Sequence, residues 1–331
     1  MITHSNVWRF FTKPLMKTRL APRRGLNGLA GKDIGDRQSR IIFTVLGFTA
    51  LTALLLIVLF LFLEGTALFI HPAEDGSRVG LGDFILGSFW YPGYTPPEFG
   101  ILPLMAASLS VTVLSACLSI PLGMGTALYL SSVAGPRVRE WGKPVIELLA
   151  AMPSVVLGLV GMMVIAPFMQ EWWDVPSGLN MLNASVMLAL MAIPTIASIA
   201  DDALESVPRD LLEASYALGA TPLQTLMRTR LPCALSGVGA GIILGLTRAM
   251  GETMVVLMCA GGAAQLSFSP LDAVRPMTST IAAEMGETAV GSSHYSALFA
   301  IGITLFLMTF AFNLLASFIA GRYSQKGYQA A

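Results

Sequence analysis

The chain has 331 residues, a formal net charge of +0, 12% charged residues and 54% hydrophobic ones, with a mean hydropathy of +0.69. Soluble domains carry about 25% charged residues, so this composition excludes an ordinary soluble protein and points to an all-α, polytopic membrane protein with short loops. The zero balance gives no pull toward nucleic acid. Cys117, Cys233 and Cys259 lie in or beside apolar runs without a C-x-x-C or Cys/His cluster, and read as small apolar core residues, with no metal site.

Residues 1–40 form a basic tail with nine Lys and Arg against Asp33 and Asp36. The apolar run 41–63 that follows is 23 residues long. It is longer than a signal-peptide core and lacks a small-residue cleavage site, so it reads as a retained first transmembrane helix. The tail either enforces topology or binds anionic membrane lipid, and the first reading is preferred. Segment 64–100 contains "GSFWYPGYTPPEFG", where Trp90, Tyr91 and Tyr94 are expected as an interfacial aromatic belt.

A bilayer crossing takes about 20 mostly apolar residues, and five further stretches qualify: 101–131, 145–169, 179–200, 233–262 and 295–320. Pro121, Pro153, Pro167 and Pro194 interrupt them. Such breaks are tolerated where neighbouring helices or a wet cavity satisfy the freed backbone groups, which suggests a six-helix bundle around a path. Counted by alternate loops, Lys and Arg divide seventeen to two, with Arg248 left inside a span. The rule that basic loops stay inside then makes both termini cytoplasmic and 64–100 external. The core runs over 101–320, followed by a short cytoplasmic end at 321–331.

The loop 201–232 reads "DDALESVPRDLLEASYALGATPLQTLMRTRLP". Pro208 suits a first helical turn, with a helix running on to Leu218. Gly219 fits a cap position that needs a left-handed backbone. Thr221, Pro222 and Gln224 spell a capping box, and the second short helix is expected to stop at Leu231-Pro232. Two helices meeting at a glycine joint form either a docking knob or a connector lying on the membrane.

In the fifth span, Arg248 and Glu252 stand four residues apart. An Arg or Asp at a helix centre costs ~2.5–3.5 kcal/mol against a gain of ~0.5 for a Leu. Spacing by four puts the two on one helix face, where they are expected to pair. Gly237, Gly241, Gly245 and Ala249 form a small-residue stripe on the same helix, suited to close packing. Both charges lie ~60° from a stripe member and are expected to face the bundle interior. The pair is either a polar gate and anion contact or a buried pair that fixes helix register. Glu284 and Glu287, in the outer segment, read as solvated surface in preference to contacts for a delivering protein.

The spacing Glu213-Ala214-Ser215, Gly219, Thr229, Leu231-Pro232 resembles the "EAA…G…I-LP" loop of permease subunits of bacterial ABC importers. Ser215 replaces the second Ala and Thr229 the Ile. Within that family, "GLTRAMGETMVVLM", "MTSTIAAEM" and the "FW…P…FGILP" approach to the second span are similar to the phosphate-specific transport permeases, the C-type subunit more than the A-type. The resemblance covers roughly residues 85–325. It implies a type I importer (MetI-like) fold in a bacterial or archaeal inner membrane. Docking to an ATPase would involve Glu213, Ala214, Ser215, Gly219, Leu231 and Pro232, and Arg248 and Glu252 would serve the translocation path. The implied partners are a second homologous permease, an ATPase dimer and an external phosphate-binding protein.

No G-x-x-x-x-G-K-[ST] occurs, so ATP and Mg belong to the partner ATPase and this chain is expected to bind no cofactor. No H-E-x-x-H or G-x-S-x-G occurs, and His4, His71 and His294 lie outside the spans, which argues against an enzyme. An importer for another oxyanion, molybdate or sulfate, is the alternative in the same class. A secondary transporter or channel predicts a repeat of spans, and none shows between 41–170 and 171–320. The buried charges argue against a mere scaffold.

Overall fold

The computed structural model describes residues 32–71 and 78–329, with side chains described over 39–71 and 78–318. Most of the expected basic tail therefore lies outside the described residues. The helices are α1 (Lys32–Ile70), α2 (Leu81–Leu86), α3 (Leu102–Ser132), α4 (Pro136–Ala150), α5 (Ser154–Val160), α6 (Ala166–Trp173), α7 (Met181–Glu205), α8 (Arg209–Ala217), α9 (Pro222–Thr225), α10 (Leu231–Met250), α11 (Met254–Cys259), α12 (Met277–Glu284) and α13 (Ser293–Gln329). A two-stranded antiparallel ribbon pairs β1 (Trp90–Tyr91) with β2 (Glu98–Phe99). Among the described residues, those up to Ile57 form one compact unit and those from Val58 onward a second.

Six helical stretches among the described residues are long and apolar enough to span a membrane: Ser39–Ile70, Leu102–Ser132, Ser154–Trp173, Met181–Glu205, Pro222–Met250 and Ser293–Phe318. Three differ from the sequence expectation by more than five residues at one end, the first because it runs on to Ile70 instead of stopping at residue 63. The third begins at Ser154 instead of 145 because Pro153 ends the preceding helix. Arg139, Lys143 and Glu147 thereby fall on α4, a separate amphipathic helix with no buried residue. The fifth starts earlier and stops at Met250, since Gly251 caps α10 and a new helix begins after Thr253.

The bundle's centre is α7. Ile196, fully buried there, is flanked by two glycines. A Cβ on Gly123 of α3 would sit 2.9 Å from the Ile196 Cβ, and one on Gly245 of α10 would sit 2.6 Å from its Cγ1. Glycine at both places lets three backbones close on one branched side chain, which maximises dispersion contact where lipid offers no hydrophobic drive. The stripe behaves as its spacing predicts: Gly237 and Gly241 also face α7, against Ala203 and Ile199.

Pro121 and Pro194 sit inside α3 and α7. Buried polar groups knit the bends: Asn183 Nδ2 donates to the Gly161 and Gly178 carbonyls, each at 3.0 Å. The first of these carbonyls opens a π-turn, Gly161–Ile165, between α5 and α6. The cysteines divide. Cys259 is buried as expected, whereas Cys117 and Cys233 lie exposed on the outside of their spans.

Candidate functional site

The loop 201–232 folds as its local signals predict up to its last step. α8 ends at Ala217, and Gly219 adopts φ +79°, the left-handed backbone an elbow requires. Thr221 and Gln224 close a full capping box. The second helix does not stop at Leu231-Pro232, however. It passes through a π-turn, Leu226–Arg230, straight into α10, with Pro232 in the first turn of that helix. The π-turn directly before Pro232 is the kind of local adjustment that accommodates a proline's missing donor, and the rod continues.

The elbow is open. Glu213, Ala214, Ala217 and Gly219 are exposed, while Ser215, Leu231 and Pro232 are half-buried. Two residues that the spacing argument overlooked dominate its surface: Leu218 is 89% exposed and Leu223 69%. Large apolar side chains are thus held out in the open on both sides of the turn. Their signal was visible in the sequence, since each leucine flanks the glycine joint within a few positions.

Below the elbow, charge ties the elements together. Arg230 Nε donates to the Leu204 carbonyl at 2.9 Å and Nη1 to the Ser131 carbonyl at 2.7 Å, joining the ends of α7 and α3 to the root of α10. Asp201, Asp202 and Glu205 cluster on the last turns of α7. Lys143 of α4 donates to Asp202 at 2.8 Å, and Arg139 pairs with Glu205. The hydrogen bond to Asp202 raises the Lys143 ammonium above its ordinary range, against the opposing pull of burial. Asp201 is buried, with neither carboxylate oxygen hydrogen-bonded; Lys143 Nζ stands 3.6 Å away and Arg139 4.0 Å.

Arg248 and Glu252 are not brought together as an i,i+4 pair. The helix ends between them, with Gly251 as its cap. Arg248 stands on the last turn of α10, where the negative end of the helix dipole favours a cation. Its Nη1 donates to Thr195 Oγ1 at 3.3 Å and its Nη2 to the Ala150 carbonyl at 3.4 Å. No carboxylate among the described residues pairs with it, and it is exposed on this chain. Glu252 Oε1 instead accepts from the Met254 N–H at 3.2 Å, capping α11. Each charge thus occupies the helix end that stabilises it. Where a spanning chain breaks its helix, the freed backbone groups have to be buried in protein or line a wet cavity.

Elsewhere in the chain, α12 packs back into the bundle, with Met277–Thr280 buried. Thr278 Oγ1 donates to the Glu252 carbonyl at 2.9 Å. Two expectations are corrected here. Trp90 is not a belt residue: it is 2% exposed, and its Nε1 donates to Glu284 at 3.1 Å. Glu284 is correspondingly not solvated surface, because Arg275 at 2.6 Å and His294 at 2.8 Å also converge on it. Partners from three separate segments, of which Trp90 is buried, draw inward a carboxylate that sequence alone leaves outside. Glu287 is exposed, as are the stacked rings of Tyr91 and Tyr94.

Residues 119–326 match the family described as binding-protein-dependent transport system inner membrane component. The probable ABC transporter permease protein YqgH of Bacillus subtilis is 34% identical, covering 90% of this chain and 95% of its own. The phosphate transport system permease protein PstC of Xylella fastidiosa is 30% identical, covering 89% and 95%. Among solved structures, a bacterial ABC transporter involved in the import of the acidic polysaccharide alginate shares the fold at a TM-score of 0.59 and 15% identity, covering 88% of this chain and 98% of that one. The MetNI methionine ABC transporter, in an inward-facing conformation, shares it at 0.52 and 20% identity, covering 66% and 93%. With a family match over most of the chain and six described helices long and apolar enough to span a membrane, this chain belongs to the inner-membrane permease components of binding-protein-dependent transport systems.

Proposed function

We propose that the chain is the permease subunit of an ATP-driven phosphate importer, forming half of the translocation path beside a second, homologous permease. An ATPase dimer grips the elbow at Gly219, and an external binding protein delivers phosphate. The seventeen-to-two division of basic residues supports cytoplasmic termini and a cytoplasmic elbow. The naming of relatives such as PstC of Mesorhizobium japonicum, 29% identical over 88% of this chain, supports phosphate as cargo and the C-type subunit.

Arg248 carries the proposal. A guanidinium on the last turn of a spanning rod, exposed on this chain and without a carboxylate partner among the described residues, offers the paired donors that a tetrahedral oxyanion accepts. Its two long hydrogen bonds to neutral acceptors leave donors available. The elbow and Arg248 lie on one helical rod, Pro222–Met250, of 29 residues. At ~1.5 Å per residue this rod reaches across the membrane. Displacing the elbow therefore moves the arginine, and ATP binding below changes the anion's contacts above.

The test is reconstitution of the complex into liposomes with the ATPase, the second permease and the binding protein. ATP-dependent uptake of phosphate in preference to sulfate and molybdate is expected. Uptake that needs no ATPase, or that favours either competing oxyanion, overturns the reading.

A further inference from the structure

Glu284 gathers three side chains from three separate segments. Trp90 Nε1 donates from β1 at 3.1 Å, Arg275 Nη1 donates at 2.6 Å, and His294 Nε2 lies 2.8 Å away at the start of α13. Arg275 is itself anchored, its Nε donating to the Gly262 carbonyl at 2.7 Å. The carboxylate side chain is only 16% exposed. Its position is unfavourable locally, because Glu284 ends α12 and an acid at a helix C-terminus opposes the dipole. The surrounding donors offset that, so the acid serves the assembly and not its own helix.

The other end of α12 reaches the break in the fifth span. Ser108 of α3 accepts from the Met277 N–H at 2.9 Å, which fixes the helix start. Thr278 Oγ1, one residue on, donates to the Glu252 carbonyl at 2.9 Å. That carbonyl belongs to the turn between α10 and α11. A single eight-residue helix thus connects the Glu284 cluster to the turn that carries the path's acidic residue.

We propose that Glu284 is a positioning residue for this turn. By clamping the end of α12 to β1, Arg275 and His294, it holds Thr278 in place, and Thr278 holds Glu252. Glu284 acts at a distance, through one rigid helix, and sets the transport rate without touching the anion. The inference rests on the reading of Glu252 as part of the path.

The experiment uses the reconstituted complex, with labelled phosphate uptake measured against the concentration of phosphate-loaded binding protein. Glu284→Gln is expected to lower the maximal rate about tenfold or more, since small misplacements of path groups are costly. The half-saturating concentration of binding protein is expected to stay within about twofold, which separates positioning from lost docking. Thr278→Val should reproduce the defect and Thr278→Ser should restore the rate to within about twofold. The double variant Glu284→Gln/Thr278→Val should be no worse than the worse single one, as expected for residues in one chain of contacts. A wild-type rate in Thr278→Val, or losses that multiply in the double variant, overturns the proposal. If Glu284→Gln fails to assemble, Thr278→Val against Thr278→Ser decides alone. A normal rate in Glu252→Gln sinks the underlying reading instead, whereas an inactive Glu252→Gln beside a normal Thr278→Val sinks only the positioning role.

Discussion

Thr229 Oγ1 donates to Ser215 Oγ at 3.4 Å, and Ser215 is also 3.0 Å from Thr225 Oγ1. These are the two positions at which the loop departs from the Ala and Ile of the importer pattern, and the structure places their side chains in contact. Two substitutions that look independent in the sequence are one polar contact linking α8 to the π-turn. Through it α8 is tied to the helical rod that runs into α10.

Ser215→Ala leaves the Thr225 hydroxyl, 2% exposed, without that partner. A loss of about 1–3 kcal/mol follows, read as a lower Tm of the purified protein in detergent. The double change Ser215→Ala/Thr229→Ile exchanges hydroxyl for apolar contact and should recover part of that loss. A double variant as unstable as the sum of its singles would refute the coupling.

Gly219→Ala isolates backbone strain, because an added Cβ at Gly219 meets nothing within 4 Å while φ is +79°. A left-handed alanine costs roughly 1–2 kcal/mol. The elbow should lose its set angle, and affinity for the ATPase should fall about tenfold for each 1.4 kcal/mol lost. Co-purification titrated against ATPase concentration measures it; unchanged binding would show that the elbow angle is irrelevant to docking.

Lys143→Ala takes the nearest cation, at 3.6 Å, from Asp201, whose side chain is 3% exposed, and leaves it only Arg139 at 4.0 Å. Breaking a buried pair costs about 3–5 kcal/mol, discounted here because the lysine is partly solvated. A marked fall in Tm is expected, and Lys143→Ala/Asp201→Asn should regain part of it. The folded ammonium binds its proton more tightly than the unfolded one. Its contribution is therefore complete below pH 10.5 and is lost only as pH climbs through the raised folded value. A decline in this contribution between pH 7 and 9 would contradict the assignment.

Glu252→Gln removes charge while retaining an oxygen that can accept from the Met254 N–H. Insertion, folding and partner assembly should survive, and uptake should be lost. Uptake near wild type would limit Glu252 to capping α11.

The elbow was legible in the sequence because capping is local chemistry: Gly219, Thr221 and Gln224 lie within a window of six residues. The glycine stripe was legible for the same reason, through helical spacing. The Arg248–Glu252 pairing was misread because hydropathy runs on past Gly251 while the helix does not. The signal was present in "GET", a cap glycine followed by a residue able to start the next helix. Glu284 illustrates the opposite limit, since Trp90 lies 194 positions away in sequence and no local pattern announces that contact. Pro153 separated the charged α4 from the third span, a division that composition averaged over a window conceals.

The sharpest test of the account is ATP-dependent phosphate uptake by Arg248→Gln in the reconstituted complex, with Arg248→Lys beside it. The account predicts normal assembly, uptake reduced about a hundredfold or more in Arg248→Gln, and a partial defect in Arg248→Lys, which keeps the charge and loses the paired donors. Wild-type uptake in Arg248→Gln would contradict it, leaving the arginine a fixture of the helix end and placing the anion's contacts elsewhere.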